Sequence, residues 1–297
     1  MEYEDDSYHA DAFTKKQKSL NWKRINLQPD DDGYGQGNLY RLSFPQSLSS
    51  GRTVGVFVLT IILAELLLFS GNIKGGISLH FLLLVSIPLL LSIIRNRETV
   101  YALQALMLLP LLRLVNVSMP ISEASLLLFV VVYIPMLIPI YLMIRHQRLS
   151  DVQLGIVYER LTAYIPMGIA LGALLGAGEY LIIGSSYLIP GLSDPFILVF
   201  ASVIFLYVGL IEEFIFRSLI QTKLEGLFGL TPGLLAASLL FGVMHSIYGE
   251  VTEMAYIFAA GIVLGYLFQR TRSLPLVAVA HGIANIVLFV LLPLVML

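Results

Sequence analysis

Three short stretches in the C-terminal part of the chain carry side chains that do acid–base chemistry, each in apolar surroundings. The first reads Leu210-Ile211-Glu212-Glu213-Phe214-Ile215-Phe216-Arg217. The second reads Phe241-Gly242-Val243-Met244-His245, and the third His281-Gly282-Ile283-Ala284-Asn285. Helical spacing sorts these residues. Side chains four apart share a face, so Glu213 and Arg217 form a neutralising pair. Glu212 is rotated about 100° away and has no basic partner within its own helix. The doublet therefore holds one paired and one free carboxylate. Phe241 shares a face with His245, and His281 with Asn285.

Such a set suits attack of water on a peptide carbonyl, which needs a base for the water and donors for the developing oxyanion. Glu212 is the candidate base. His245 is placed to hold the same water and shuttle its proton. Asn285 carries a neutral amide donor suited to an oxyanion, and His281 can donate beside it. Phe241 shapes the wall of the pocket or only packs.

The elements that must position these groups are membrane helices. Of 297 residues, 57% are hydrophobic and 13% charged, where a soluble domain carries about 25% charged. Mean hydropathy is +0.84. Eight of the 20 acidic residues lie before residue 33, and the rest interrupt long apolar runs. A crossing needs roughly 20 helical residues. About nine segments qualify: 54–70, 77–94, 99–117, 122–144, 163–189, 196–220, 231–248, 251–269 and 274–296. The expected fold is all-α, a polytopic transmembrane bundle. With nine crossings and the N-terminus inside, Arg95, Arg97, Arg145, Arg148, Arg160, Lys223, Arg270 and Arg272 fall on the cytoplasmic side and Lys74 opposite. This is the positive-inside pattern, and it predicts N-in, C-out. At 1.5 Å per residue, Glu212, His281, Asn285 and His245 then lie about 10–20 Å from the cytoplasmic helix ends, around a cavity open to the cytosol.

Residues 1–52 are polar and mixed in charge with no signal-like apolar stretch, and read as a disordered cytoplasmic tail. Residues 53–149 form a four-span region and 150–297 a five-span catalytic region. Gly168, Gly172 and Gly176, and Gly261 with Gly265, form small-residue ridges for close helix packing. Four ionisable residues stand alone within spans: Glu65, His80, Arg113 and Glu179. A structural role is expected for them, with Glu65 and Glu179 near an interface or paired to another helix and Arg113 snorkelling from a helix end. The first four spans show no motif. The net charge of −2 points away from nucleic acid. With no cysteine, thiol catalysis and disulfides are excluded.

Competing chemistries remain. Glu212, Glu213, His245 and His281 could be zinc ligands, against which stand the absence of an H-E-x-x-H helix and the cation of Arg217 beside the carboxylates. A proton-coupled transporter could use the carboxylates as a relay, although no repeated pair of interrupted helices is evident. A non-catalytic immunity or scaffold protein, or a polar network that only ties helices together, completes the set. An aspartyl G-x-G-D motif is missing, and Ser185 and Ser186 have no histidine partner evident in the sequence.

Glu-Glu-x-x-x-Arg, Phe-x-x-x-His and His-x-x-x-Asn, in this order on separate membrane helices, resemble the CAAX prenyl endopeptidase and bacteriocin-processing (CPBP, or Abi) family over about residues 160–297. The resemblance implies an intramembrane glutamic endopeptidase without a cofactor or metal. In it, Glu212 and His245 activate water, His281 and Asn285 stabilise the oxyanion, and Glu213 with Arg217 supports the site. The implied partners are membrane lipids and a peptide or lipidated protein substrate. Apart from the resemblance, the missing signal and targeting features fit a prokaryotic plasma membrane, with an internal eukaryotic membrane as the alternative.

Overall fold

Polar caps and single glycines decide where the helices start and stop in the computed structural model, which describes residues 48–118, 126–183, 189 and 191–296. Nine apolar helices lie among the described residues: α1 (Leu48–Phe69), α2 (Ile73–Leu91), α3 (Arg97–Ser118), α4 (Leu126–Gln147), α5 (Leu161–Ile183), α6 (Pro195–Phe228), α7 (Leu230–Val243), α8 (Val251–Thr271) and α9 (Leu274–Met296). No strand occurs among them. Asp194 caps α6 by accepting the Phe196 amide, with Pro195 at the first helical position, where a missing N–H costs nothing. Ser273 does the same for α9, accepting the amide of Leu276. Between α6 and α7 the chain reverses through one residue, Gly229, at φ 94°, a conformation that favours glycine.

Eight of these helices are long and apolar enough to cross a bilayer, and the protein is an integral membrane protein with an all-helical bundle. Side chains such as Leu181 and Phe196 are 85% and 76% exposed, which suits lipid rather than water. The seventh expected span differs. A crossing was expected over 231–248, but α7 has only 14 residues, or about 21 Å at 1.5 Å per residue. Its helix ends at Val243, and a short 3₁₀ turn, Ser246–Tyr248, leads to Gly249 at φ 79°. The disordered tail expected over 1–52 lies outside the described residues up to position 47; from Leu48 the chain is helical. Ser185 and Ser186 also lie outside the described residues.

Residues 47–297 form one compact unit. Helix α9 is its central element, packed along α5 and α6. Small residues bring these helices together. A Cβ added at Gly172 or Gly176 would collide with the carbonyl oxygens of Ala280 or Ala284 on α9. One added at Gly209 on α6 would sit 2.6 Å from the Gly282 amide nitrogen. The ridge on α5 thus serves packing, as expected, and the helix it seats is the one that carries His281 and Asn285.

The isolated charges of the first helices find one another. Arg113 does not snorkel; it is 1% exposed and forks onto Glu65, with Nε donating to Oε1 at 2.8 Å and Nη2 to Oε2 at 2.7 Å. His80 Nε2 lies 3.1 Å from Glu65 Oε1. An arginine paired in this planar geometry has no need to reach the interface. Helices α1, α2 and α3 are joined through this buried cluster.

Candidate active site

Each of the three motifs sits on a different helix, and the bundle brings them to one place. Glu212 and Glu213 end the regular part of α6. The next eight residues, Phe214–Gln221, are π-helical, a widened turn that is often found at functional sites. Arg217 lies in that turn and still reaches back to its partner, Nε donating to Glu213 Oε2 at 2.8 Å with both side chains fully buried. The other oxygen of Glu213 faces His281 of α9, whose Nδ1 lies 3.0 Å from Oε1. A carboxylate bearing Arg217 on one oxygen accepts the Nδ1 proton on the other, and so fixes the ring. The far nitrogen, Nε2, points toward Glu212 at 3.6 Å from Oε2.

Glu212 is therefore separate from the Glu213–Arg217 pair, as its helical angle requires. Its other oxygen accepts the hydroxyl of Tyr133 from α4. Sequence reasoning missed Tyr133. A tyrosine in an apolar helix carries no spacing signal when its partner lies 79 positions away.

His245 stands just beyond the end of α7, at φ −92° and ψ 8°. Its Nδ1 is 2.9 Å from the Phe241 carbonyl oxygen. That oxygen can only accept, so Nδ1 carries the proton and the lone pair of a neutral ring is on Nε2. The Phe241 ring packs edge-on against His245 and His281, with centroids 5.1 and 5.6 Å away, and Arg217 lies over it at 5.1 Å. Phe241 thus fixes both imidazoles at once and lines the pocket as well.

Glu212, His245, His281 and Asn285 all line one cavity of about 60 Å³, with Tyr133 and Phe241 in its wall. A water needs about 10–15 Å³ on this measure, so the cavity has room for several beside these polar groups. Glu213 and Arg217 stand behind it. Asn285 is half-buried, one helical turn beyond His281, and no described residue hydrogen-bonds its amide. The cavity is also lined by Glu179 of α5 and Glu253 of α8. Glu179 was expected near an interface or paired with another helix; it has no ion pair among the described residues and lines the cavity from near the C-terminal end of α5. No group of three His, Asp or Glu side chains among the described residues is arranged to hold a metal ion.

Residues 194–287 match the family model of the Rce1-like type II CAAX prenyl endopeptidases. The match bears out the family resemblance carried by the three motifs and supports a peptidase. Its span takes in α6, α7, α8 and the part of α9 that bears His281 and Asn285. Helices α1 to α5, with Tyr133 and Glu179, lie outside it. No curated protein and no solved structure matches the chain significantly.

Proposed function

We propose that the protein is an intramembrane endopeptidase in which Glu212 activates a water molecule to hydrolyse a peptide bond. The observation that carries this reading is the meeting of Glu212, His245, His281 and Asn285 around one cavity with room for water, within apolar helices. In the proposed reaction, water held between Glu212 and His245 Nε2 attacks the carbonyl carbon and Glu212 takes its proton. The carbonyl π electrons move to oxygen, and the Asn285 amide donates to the resulting oxyanion. His281 joins as a second donor when both of its ring nitrogens are protonated, since Nδ1 is committed to Glu213. Collapse of the tetrahedral centre breaks the C–N bond, and the proton on Glu212 passes to the leaving amine. Glu213 and Arg217 keep His281 in register throughout.

The family match supports a membrane-associated peptide or protein as the substrate, with those that end in a prenylated CAAX sequence as one candidate class. By the positive-inside rule, Arg95, Arg97, Arg145, Arg148 and Arg160 support an orientation with the N-terminus inside and the C-terminus outside; the cavity-lining Phe129, Glu179 and Glu253 then stand near the helix ends opposite these arginines. A reporter fused after Leu297 that remains in the cytosol refutes that orientation. The reaction itself is tested by proteomics on cells carrying the intact protein or the Glu212→Gln form, read for new C-termini. C-termini that appear only with the intact protein support the peptidase; identical sets in both overturn it. Chelator treatment of the purified protein leaves cleavage unchanged under this mechanism and stops it under a zinc mechanism.

A further inference from the structure

We propose that the buried cluster of Glu65 and Arg113 is a clamp from the N-terminal helices that positions His245 for catalysis. The proposal rests on the reading of His245 as the partner of Glu212 in water activation, and it gives a catalytic purpose to helices outside the matched family segment.

The His245 ring is bonded to Phe241 in the last turn of α7, but its own backbone lies beyond the helix. Helix α7 stops at Val243, and the backbone around His245 is a turn. Side chains on turns move more freely than those on helices unless something ties the turn down. Here the two residues that flank His245 are both tied. The Met244 carbonyl, left without a helical partner at the end of α7, accepts a hydrogen bond from Arg113 Nη2. The Ser246 hydroxyl donates to Glu65 Oε2 at 2.6 Å. Glu65 and Arg113 are themselves locked in a two-point fork, 2.8 and 2.7 Å long, and His80 closes the third side. Glu65, His80, Arg113 and Ser246 are at most 1% exposed.

A cluster whose only task was to join α1, α2 and α3 would satisfy itself within those helices. This one directs a donor from Arg113 and an acceptor of Glu65 to a turn 131 and 181 positions away in sequence. Those two contacts bracket one side chain, and that side chain lines the cavity with Glu212. Arg113 also lies at the C-terminal end of α7, where a cation complements the helix dipole. The clamp therefore fixes the turn by a charge-assisted contact on one side and a hydroxyl contact on the other, and His245 is set between them. Glu65 and Arg113 are positioning residues, since they act on His245 through the backbone and do not reach the cavity.

The test uses the full-length protein in detergent and a double variant, Glu65→Leu with Arg113→Met. Replacing a buried ion pair by apolar residues of similar size commonly preserves the fold, whereas removing one partner strands a charge. Three quantities are read: melting temperature, amide hydrogen exchange over residues 244–249 relative to α9, and the pH profile, kcat and KM for cleavage of a fluorogenic peptide ending in a farnesylated CAAX sequence. The expected result is a melting temperature within a few degrees of the parent, exchange in the turn at least tenfold faster with α9 unchanged, and kcat at least tenfold lower with KM within twofold. Ser246→Ala, which leaves the ion pair intact, gives the same pattern at about threefold, and Ser246→Thr restores it. Parental exchange and kcat in the folded double variant overturn the clamp. Should the double variant fail to fold, unchanged turn exchange in Ser246→Ala overturns it. Should the parent cleave no farnesylated peptide, that substrate reading falls, and the exchange measurement still decides whether the cluster holds the turn.

Discussion

Two clusters in this protein are built from the same parts and do different work. Each has a buried glutamate, an arginine bonded to it and a histidine against one of its oxygens: Glu65, Arg113 and His80 across α1, α2 and α3, and Glu213, Arg217 and His281 across α6 and α9. In the first, the arginine forks onto both carboxylate oxygens and spares one contact for the Met244 carbonyl. In the second, the arginine reaches one oxygen only, the other holds His281, and the free face of that imidazole looks onto Glu212. A carboxylate–arginine–histidine set is thus no sign of catalysis by itself. What separates the two is the cavity. His281 borders it and His80 does not.

The largest expected effect sharpens that distinction. Glu212→Gln keeps the size and hydrogen-bonding shape of the side chain and removes the base. Turnover of a cleaved peptide falls by about 10²–10⁴, the usual worth of a general base, with the melting temperature unchanged. Turnover near the parental value returns Glu212 to the class of Glu65, a buried carboxylate with a structural task.

Breaking either ion pair from one side is the next largest effect. Glu213→Ala strands Arg217, and Glu65→Ala strands Arg113. Each costs about 3–5 kcal/mol of stability, measured by unfolding in detergent. If the melting temperature holds in both variants, neither pair supports the fold. If only one falls, the two clusters differ in energy as well as in access.

Asn285→Ala acts on the transition state. It lowers kcat by about 10²–10³, as removal of an oxyanion donor does, and leaves KM close to the parental value. A rise in KM with kcat intact assigns Asn285 to substrate binding.

The smallest effect belongs to Tyr133→Phe. It removes one hydrogen bond to a charged oxygen, worth about 1.5–3 kcal/mol, from the Glu212 carboxylate. Turnover drops by about 10–150-fold, with KM close to the parental value. Unaltered turnover makes Tyr133 only a wall of the cavity. This variant lies in α4, outside the matched segment, so it also asks whether catalysis is confined to that segment.

Local patterns were legible in the sequence. The apolar runs fixed the membrane class because a bilayer demands that every crossing satisfy its own backbone. The Glu213–Arg217 pair was legible because four residues make one helical turn, and it survives even inside the π-helical segment. The three motifs named Glu212, Phe241, His245, His281 and Asn285, which line the cavity, and Glu213 and Arg217, which stand behind it. Tertiary structure alone decided the rest. It joined Arg113 to Glu65 over 48 positions and Ser246 to Glu65 over 181, set Tyr133 on Glu212, and turned Glu179 to the cavity. It also ended α7 after 14 residues and left His245 in a turn. Period and hydropathy describe one helix at a time. Which face of one helix meets which face of another follows from how side chains and small-residue ridges fit together, and that fit exists only once the bundle has closed.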